Sequence, residues 1–383
     1  MKVVLSIDSV RYPLTGIGRY TFELARQLTT LPEIPELLLM RNFGFATDLP
    51  TGNQDTPPRV LVDWRGMLLK NPLSRGLIRS MLPTLRGRAL RAHGNAVFHG
   101  PNFYLPRHQG PSVATFHDVS VYSCPQFHPA ERVRYMRGEI EDALQRATCL
   151  ITPSEYVRNE VVRLFGVAAD RVKATPLAGS PDFRPRGAGE TQAVLQSLGL
   201  RHNGYTLFVG TIEPRKNINA LFDAYESLPE PLRRRWPLIL AGHKGWSSET
   251  LHARLRMAET AGWLRYLDYL PDQQLATVFA GARLFVFPSL YEGFGLPVLE
   301  AMKSGVPMIC SNRASLPEVA GPGALLFEAD DAAAQRDCII RGLEDENWRH
   351  GEVARGLAHS AQFSWQQCAR LTADTYAEAC RLA

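Results

Sequence analysis

Residues 285–307 carry, in succession, the signals of a strand, a glycine-containing loop, a helix and a second strand. The apolar run at 284–287 has the length and aromatic content of a buried strand. Pro297 follows the loop at a position that a first helical turn tolerates, and Gly305 is typical of the end of that helix. Residues 306–310 are again apolar. This order is typical of a parallel sheet, so we predict an α/β fold.

Two carboxylates, Glu292 and Glu300, stand on either side of the predicted junction between loop and helix. Open α/β sheets bind ligands beyond the carboxyl ends of their strands, where we expect both acids. The backbone amides between them begin a helix, and such amides favour an anion because they have no partner in the helix. They belong to Gly293, Phe294, Gly295 and Leu296. This layout suits a nucleotide sugar, which has hydroxyls at both ends and a diphosphate in the middle.

A lone pair of acids at this spacing is more typical of a solvated loop and helix surface, but the complete string of residues 292–307 is more specific. It reads E-G-F-G-L-P-V-L-E-A-M-K-S-G-V-P and closely resembles the signature of the retaining glycosyltransferases of family 4. The resemblance implies the GT-B fold, in which two Rossmann-like domains with parallel sheets face a central cleft. It also implies transfer of a mannose-like hexose, with retention and without a metal ion.

The length of 383 residues favours two domains. Proline and glycine are dense at residues 176–189, which predicts a linker. We therefore place one Rossmann-like domain at residues 1–179 and a second at 180–362. The resemblance implies that the first lies on the acceptor side and that the second binds the nucleotide sugar. It further implies that residues 363–383 form a terminal helix packing back on the first domain.

Composition predicts the compartment. The sequence has no apolar run of about 18 residues, so we expect no spanning helix. The N-terminus lacks the features of a signal peptide, and the six scattered cysteines include no C-x-x-C pair. These features favour a cytoplasmic protein with reduced thiols and no zinc site. We expect no cofactor. The resemblance to the mannosyltransferase-like branch of family 4, together with this compartment and a basic patch, favours a GDP-hexose as the donor substrate.

The net charge of +5 is unevenly distributed, because residues 65–91 are rich in arginine and contain no acidic residue. Apolar residues recur among these cations at a spacing of four, namely Leu69, Leu73, Leu77, Met81 and Leu85. Two interpretations are open. The segment is a membrane-surface element that holds the protein transiently at the anionic inner face of the cell membrane, or it is an ordinary amphipathic helix. No nucleic-acid-binding motif accompanies the charge, so we expect no nucleic acid partner.

The first half of the chain contains two further candidate sites. Gly16 and Gly18 lie in a predicted loop before a helix that starts at Tyr20, and His117 follows a predicted strand at residues 112–116. The glycine loop resembles the one that borders the donor phosphates and the acceptor in family 4. The string T-F-H-D-V-S resembles the strand-end histidine of that family, which implies contact between His117 and the transferred sugar. The alternative is a structural hydrogen bond from His117 to a loop carbonyl.

In the second half, Arg215 and Lys216 follow a predicted strand at residues 205–209. Two adjacent cations on such a loop suit a diphosphate, because they oppose the charge that develops on the leaving nucleotide. The stretch resembles the phosphate loop of family 4. It departs from the common form because Thr211 stands where many members have a first arginine.

The resemblance assigns the rest of the donor to other residues. The backbone at Leu270 meets the base, Glu300 binds the ribose hydroxyls and Glu292 binds the sugar hydroxyls. Arg313, Ser315 and Glu318 follow the next predicted strand, and we expect them to shape the loop over the donor site rather than perform chemistry. With His117 and the two cations, Glu292 completes the candidate catalytic set. The expected acceptor is a glycan or a lipid-linked oligosaccharide in the synthesis of a surface polysaccharide such as lipopolysaccharide. Three alternatives are open: a nucleotide-sugar epimerase of GT-B fold, a sugar phosphorylase, or a non-catalytic nucleotide-sugar binder.

Overall fold

The computed structural model describes residues 1–14, 16–50, 52, 86–246 and 249–383. The chain divides into two compact units. The first unit comprises Met1–Ser123, His128–Pro176 and Trp365–Ala383, and the second comprises Cys124–Phe127 and Leu177–Ser364. The division thus falls after Pro176, whereas the sequence places it after residue 179. The functional roles of the two parts stay predictions.

The first unit is built on a sheet whose described strands are β1 (Lys2–Ser6), β2 (Glu36–Arg41), β3 (Gly44–Ala46), β4 (Val97–Gly100), β5 (Ser112–Thr115), β6 (Cys149–Thr152) and β7 (Val172–Ala174). Their order is β3-β2-β1-β4-β5-β6-β7. The pairs are parallel except for the antiparallel pair of β2 and β3 at one edge. Every residue of β4, β5 and β6 is buried, as expected for parallel strands covered on both faces.

The described helices of this unit that precede the linker include α1 (Gly16–Leu28), α2 (Ser120–Ser123), α3 (Ala130–Arg146) and α4 (Glu155–Phe165). Val4, Phe98 and Leu150, on three different strands, join Ile140 of α3 in one buried apolar cluster. The hydroxyl of Ser154 caps α4 by accepting a hydrogen bond from the Val157 amide. This core fixes the carboxyl edge of the sheet, from which the loops of the first unit emerge.

One local prediction for this unit is wrong. The sequence indicates a loop around Gly16 and Gly18, with the helix starting at Tyr20, but α1 already begins at Gly16. Both glycines therefore lie in the first turns of the helix. Tyr20 and Leu24 are fully buried on its inner face, so the packing of α1 on the sheet outweighs the low helix propensity of the glycines.

The second unit contains the strands β8 (Thr206–Val209), β9 (Leu238–Ala241), β10 (Leu264–Tyr266), β11 (Leu284–Phe287), β12 (Met308–Ser311) and β13 (Leu325–Phe327). They form a parallel sheet in the order β10-β9-β8-β11-β12-β13. Every residue of β8, β9, β11 and β12 is buried. The apolar run at residues 284–287, predicted as a buried strand, is β11.

The described helices of this unit are α5 (Ala188–Ser197), α6 (Ile218–Glu226), α7 (Glu230–Arg235), α8 (Glu249–Thr260), α9 (Asp272–Ala280), α10 (Leu296–Lys303), α11 (Leu316–Ala320), α12 (Ala332–Glu344) and α13 (Glu346–Ser360). The final helix, α14 (Trp365–Leu382), belongs to the first unit. Two parallel-sheet units confirm the predicted α/β class with two Rossmann-like domains.

Helix α14 is joined to the first sheet by a buried chain of hydrogen bonds, the neutral network. His99 on β4 places Nδ1 2.6 Å from the Tyr376 hydroxyl and Nε2 2.8 Å from the Thr115 hydroxyl. The Tyr20 hydroxyl lies 3.0 Å from that of Thr115. These four side chains are at most 1% exposed. Burial lowers the pKa of His99 to about 3, so its ring is neutral near pH 7.

Within the described ranges, no helix combines the length and the apolarity needed to cross a membrane. Most of the predicted basic segment at residues 65–91 lies outside the described residues, since only 86–91 are included.

Candidate active site

The loop that follows β8 carries the two predicted phosphate ligands, Arg215 and Lys216. Residues Pro214–Lys216 form one 3₁₀ turn. The loop after β9 passes very close to it, because a Cβ added to Gly242 would lie 2.1 Å from the carbonyl oxygen of Gly210. Gly242 has a φ of 143°, which favours glycine. The two loops therefore pack backbone to backbone at the carboxyl edge of the sheet.

The loop that follows β11 places Glu292 against both cations. The Nζ atom of Lys216 lies 2.5 Å from Glu292 Oε1, and Nη1 of Arg215 lies 3.2 Å from Glu292 Oε2. Ser289 at the end of the strand donates its hydroxyl hydrogen to Oε1 at 2.5 Å. Lys216 and Glu292 are each 7% exposed. The structure thus brings three of the predicted catalytic residues together in a buried site.

The guanidinium of Arg215 is largely occupied by protein acceptors. Its Nε and Nη2 atoms donate to Glu213 Oε1 at 3.0 and 2.7 Å, and Nη1 donates to the Tyr291 carbonyl oxygen at 2.6 Å. Glu213 itself is 2% exposed. Arg215 therefore ties the β8 loop to the β11 loop and orients Glu292. Its contact with phosphate stays a prediction.

We call Glu213, Arg215, Lys216 and Glu292 the ion cluster, whose two cations and two carboxylates balance. Burial alone would raise the pKa of Glu292, but the charges of Lys216 and Arg215 outweigh it and lower that pKa to about 2. Burial lowers the pKa of Lys216, although attraction to Glu292 opposes the shift. The Lys216 ammonium also lies 5.1 Å from the ring centroid of Phe287, a cation–π contact.

Helix α10 begins directly after this loop, at Leu296. The preceding Gly295 has a φ of 106°, and a Cβ there would lie 2.8 Å from Leu316 Cδ2, so the position requires glycine. In the described part of the chain, the amides of Phe294, Gly295 and Leu296 donate to no backbone carbonyl. Unpaired amides at a helix N-terminus suit an anion.

The shape of this loop is held by Ser315. Its hydroxyl lies 2.9 Å from the carbonyl oxygen of Glu292 and 2.8 Å from that of Phe294. It is fully buried. Ser315 thus shapes the loop, as predicted, and the same role for Arg313 and Glu318 stays a prediction.

Glu300 and Leu270, predicted to bind the ribose and the base, are largely buried at 8% and 6% exposure. Glu300 lies within α10, and its Cγ atom is 3.8 Å from the position of a Cβ on Gly179. Leu270 lies between β10 and α9. Among the described ion pairs and hydrogen bonds, neither residue contacts Lys216.

His117 belongs to the first unit and follows β5. Its Nε2 atom lies 2.8 Å from the carbonyl oxygen of Pro101. Because a carbonyl oxygen only accepts, Nε2 carries the hydrogen, and Nδ1 is the acceptor of the neutral ring. Burial lowers the pKa of His117, so the ring is neutral near pH 7. The structural hydrogen bond considered as an alternative is present, and it leaves one ring nitrogen able to accept.

A pocket of about 340 Å³ lies beside His117. Its walls combine aromatic, aliphatic and polar side chains, namely Ile17, Asn102, Phe103, Tyr104, Asp118, Arg132, Tyr135 and Met136. Apolar walls with a few polar groups are typical of small-molecule sites. The mixture suits a sugar, which has apolar ring faces and a rim of hydroxyls.

The two glycines of α1 have different surroundings. A Cβ on Gly18 would lie 2.8 Å from the carbonyl oxygen of Ser9, so Gly18 permits close packing of the helix on the β1 loop. A Cβ on Gly16 would meet no atom within 4 Å. The residue between them, Ile17, lines the pocket beside His117.

Sequence analysis did not assign a role to Glu213 or Ser289. Glu213 lies two residues before Arg215, and Ser289 lies three residues before Glu292. Their proximity to predicted site residues was a signal in each case, but nothing in the pattern showed that their side chains point toward the cations.

Comparison with known proteins identifies the class of protein. Residues 14–178 match the sequence model described as Glycosyltransferase Family 4, and residues 196–356 match the one described as Glycosyl transferases group 1. O-antigen chain mannosyltransferase B of Escherichia coli is 43% identical over 98% of this chain and 99% of its own length. Serotype-specific mannosyltransferase WbdA of Escherichia coli is 36% identical over 65% of this chain, a match that spans 31% of that protein.

Solved structures agree with the predicted fold. Anabaena Alr3699/HepE, crystallised with UDP and glucose, has a TM-score of 0.72 at 17% identity and covers 98% of this chain and 99% of its own. WaaG, a glycosyltransferase of lipopolysaccharide biosynthesis, has a TM-score of 0.71 at 15% identity, and the match covers 97% of this chain and 98% of WaaG. The fold is GT-B and the protein is a glycosyltransferase. The chain belongs to family 4 of these enzymes.

Proposed function

We propose that this glycosyltransferase transfers a mannose residue from GDP-mannose, or a related GDP-hexose, to a glycan or lipid-linked oligosaccharide of a bacterial surface polysaccharide. The observation that carries the proposal is the 43% identity, over 98% of the chain, to a protein named for mannosyl transfer to O-antigen chains. Transfer with retention completes the proposal.

The diphosphate of the donor binds Lys216 and the amides of Phe294, Gly295 and Leu296. A lysine ammonium has three N–H donors that can bond phosphate oxygens, and its described hydrogen-bond acceptor is Glu292. The charge and the helix dipole are fixed in place before the reaction and stabilise the negative charge on the leaving nucleotide. The described residues include no group of three or more His, Cys, Asp or Glu side chains that could hold a metal ion, and the proposal involves none.

The remaining donor contacts follow the family resemblance. Leu270 meets the base, Glu300 binds the ribose hydroxyls, and Glu292 accepts hydrogen bonds from hydroxyls of the sugar. The low pKa of Glu292 supports its part, because an ionised carboxylate is a stronger acceptor than a neutral acid. Arg215 acts on the sugar through Glu292, whose carboxylate it orients.

In the first unit, we assign the pocket beside His117 to sugar binding. The Nδ1 atom of His117 accepts a hydrogen bond from a hydroxyl of the transferred sugar, which the neutral ring allows. The N-terminal turn of α1, with Gly16 and Gly18, borders the same substrate. Tyr104 and Tyr135, whose ring centroids are 6.3 Å apart, offer aromatic faces to the acceptor.

We also propose that the protein works at the cytoplasmic face of the cell membrane, where a lipid-linked acceptor is available. This part rests on the sequence of residues 65–91, whose cations and apolar stripe suit an anionic surface. Co-sedimentation with vesicles containing anionic lipid tests it, and binding equal to that of neutral vesicles contradicts it.

The reaction itself is tested by incubating the protein with GDP-mannose and a synthetic mannose-terminated acceptor. We expect GDP to be released only when the acceptor is present, and the product to carry one further α-linked mannose. Nuclear magnetic resonance of the new anomeric proton reports the linkage. A β-linkage would contradict retention, and transfer from a UDP-hexose but not from GDP-mannose would contradict the donor.

A further inference from the structure

The ammonium that the proposed diphosphate site requires is already paired inside the protein. Lys216 Nζ lies 2.5 Å from Glu292 Oε1, and both side chains are about nine-tenths buried. We propose that Glu292 competes with the diphosphate for Lys216, so that this ion pair opens when a nucleoside diphosphate binds and closes as the nucleoside diphosphate product leaves. This inference rests on the proposed function of the same site.

The geometry of Glu292 allows such an exchange, because its carboxylate has partners besides Lys216. Ser289 donates to Oε1 at 2.5 Å, and Arg215 donates to Oε2 at 3.2 Å. Arg215 is held in turn by Glu213 and by the Tyr291 carbonyl oxygen. When Lys216 turns toward a phosphate, the carboxylate therefore keeps a cation and a hydroxyl donor, and it can bond the sugar hydroxyls of the donor.

The existing pairing of Lys216 with Glu292 opposes tight binding of a diphosphate. The ion cluster contains two cations and two carboxylates, so a diphosphate that joined it unchanged would meet no excess positive charge. In a buried site an unpaired cation is strongly disfavoured, so Lys216 needs one anionic partner at all times. Glu292 and a phosphate are alternative partners for it.

The exchange also gives the sugar a role in binding. A donor offers phosphate to Lys216 and hydroxyls to Glu292, so both members of the opened pair gain a partner. The product nucleoside diphosphate has lost the sugar, which leaves Glu292 free to take Lys216 back. Glu292 thereby favours the intact donor over the product and speeds product release.

Calorimetry near neutral pH first measures the affinity of the purified wild-type protein for GDP, UDP and ADP. The variants are then compared with the nucleoside diphosphate that binds most tightly. We expect Glu292→Gln to lower the Kd of that nucleoside diphosphate by about tenfold or more, because the charge-assisted hydrogen bond between Glu292 and Lys216 no longer competes with the phosphate. Glu36→Gln is the matched control. It removes a carboxylate 2.6 Å from Lys2 in the first unit, so it makes the same change in net charge and leaves the affinity unchanged.

A second substitution tests whether the effect runs through Lys216. In a Lys216→Met background, Glu292→Gln does not lower the Kd, because the ammonium for which Glu292 and the phosphate compete is absent. If Glu292→Gln fails to fold, Glu292→Asp replaces it in the test. Its shorter side chain keeps a carboxylate beside Arg215 but places it farther from Lys216, so we expect this variant to lower the Kd as well.

The outcomes distinguish failure of the proposed competition from failure of the proposed phosphate site. Equal or weaker binding by the folded Glu292 variants overturns the competition while the phosphate site stands. Tightening that persists in the Lys216→Met background overturns it as well. Failure of the wild-type protein to bind any of the three nucleoside diphosphates overturns the proposed donor site and the competition together.

Discussion

The two units each bury a cluster of polar groups, and the clusters differ in kind. In the first unit, the neutral network of His99, Thr115, Tyr20 and Tyr376 joins helix α14 to the sheet. In the second unit, the ion cluster joins two loops at the carboxyl edge of the sheet. The neutral network is buried, and in the ion cluster Arg215 alone is partly exposed, with 14% of its side chain accessible.

The difference lies in what each cluster leaves available. Burial keeps His99 uncharged, and both of its ring nitrogens are used within the protein. The ion cluster stays charged, and in the described part of the chain the amides of Phe294, Gly295 and Leu296 donate to no backbone carbonyl. A satisfied neutral cluster stabilises packing, whereas a charged cluster with spare donors can exchange one partner for a ligand.

The largest expected effect concerns Lys216. We expect Lys216→Ala to lower turnover roughly 10²- to 10³-fold, by analogy with the loss of one donor that stabilises a developing anion. The measurement is the steady-state rate of nucleotide release in the presence of acceptor. Lys244→Ala is the control, because Lys244 is an exposed lysine on the adjacent loop and its loss leaves turnover nearly unchanged. Turnover in Lys216→Ala equal to that of wild type would remove Lys216 from the catalytic account.

The next prediction is that the two clusters contribute to the free energy of unfolding in different pH ranges. The pKa of His99 is about 3 in the fold against an ordinary value of 6.5, so the unfolded chain binds a proton that the folded state excludes. The contribution of His99 to the free energy of unfolding of the first unit therefore decreases as pH falls below 6.5, by roughly 2–3 kcal/mol down to pH 4.5. The pKa of Glu292 is lowered to about 2, so its contribution is complete above 4.5 and is lost only as pH falls toward 2.

Pulse-labelling mass spectrometry of peptides from β4 and β5 across a urea series measures this stability. His99→Gln should make the profile between pH 6.5 and 4.5 shallower by the part that His99 contributes, and the part that comes from His117, whose pKa burial also lowers, should remain. Glu292→Gln should leave that part of the profile parallel to wild type. A His99→Gln profile as steep as that of wild type would show that His99 is not the titrating group.

The smallest effect compares the two glycines of α1. Gly18→Ala should lower the free energy of unfolding by about 1–3 kcal/mol, because its Cβ would press on the Ser9 carbonyl oxygen. Gly16→Ala has open space and should change stability by less than about 1 kcal/mol. Urea denaturation measures both. An equal loss of stability in the two variants would contradict the packing described for Gly18.

The same pair sharpens the site proposal. If the N-terminal turn of α1 borders the substrate, Gly16→Ala raises KM in the transfer assay although the fold is intact. A KM equal to that of wild type would place Gly16 outside the binding surface.

The sequence predicted those parts of the fold that local signals determine. The strand at residues 284–287 was predicted correctly because strand composition acts over a few residues. The start of α1 was wrong because glycine is a poor helix former locally, and the packing of Gly18 on Ser9 is a tertiary contact.

The candidate site divides in the same way. The glycine loop and the two adjacent cations were visible as patterns, but the partner of Lys216 lies 76 residues away and the Tyr376 partner of His99 lies 277 residues away. Such pairs depend on the order of the strands in the sheet, and the spacing of residues along the sequence does not reveal that order. The ligands of the individual side chains stay predictions.

The most direct measurement is a crystal structure of the protein with the nucleoside diphosphate that it binds most tightly. Our account predicts the Lys216 ammonium within hydrogen-bonding distance of a phosphate oxygen, the amides of Phe294 to Leu296 donating to the same diphosphate, and Glu292 withdrawn from Lys216. A diphosphate bound elsewhere, with Lys216 still paired to Glu292, would contradict it.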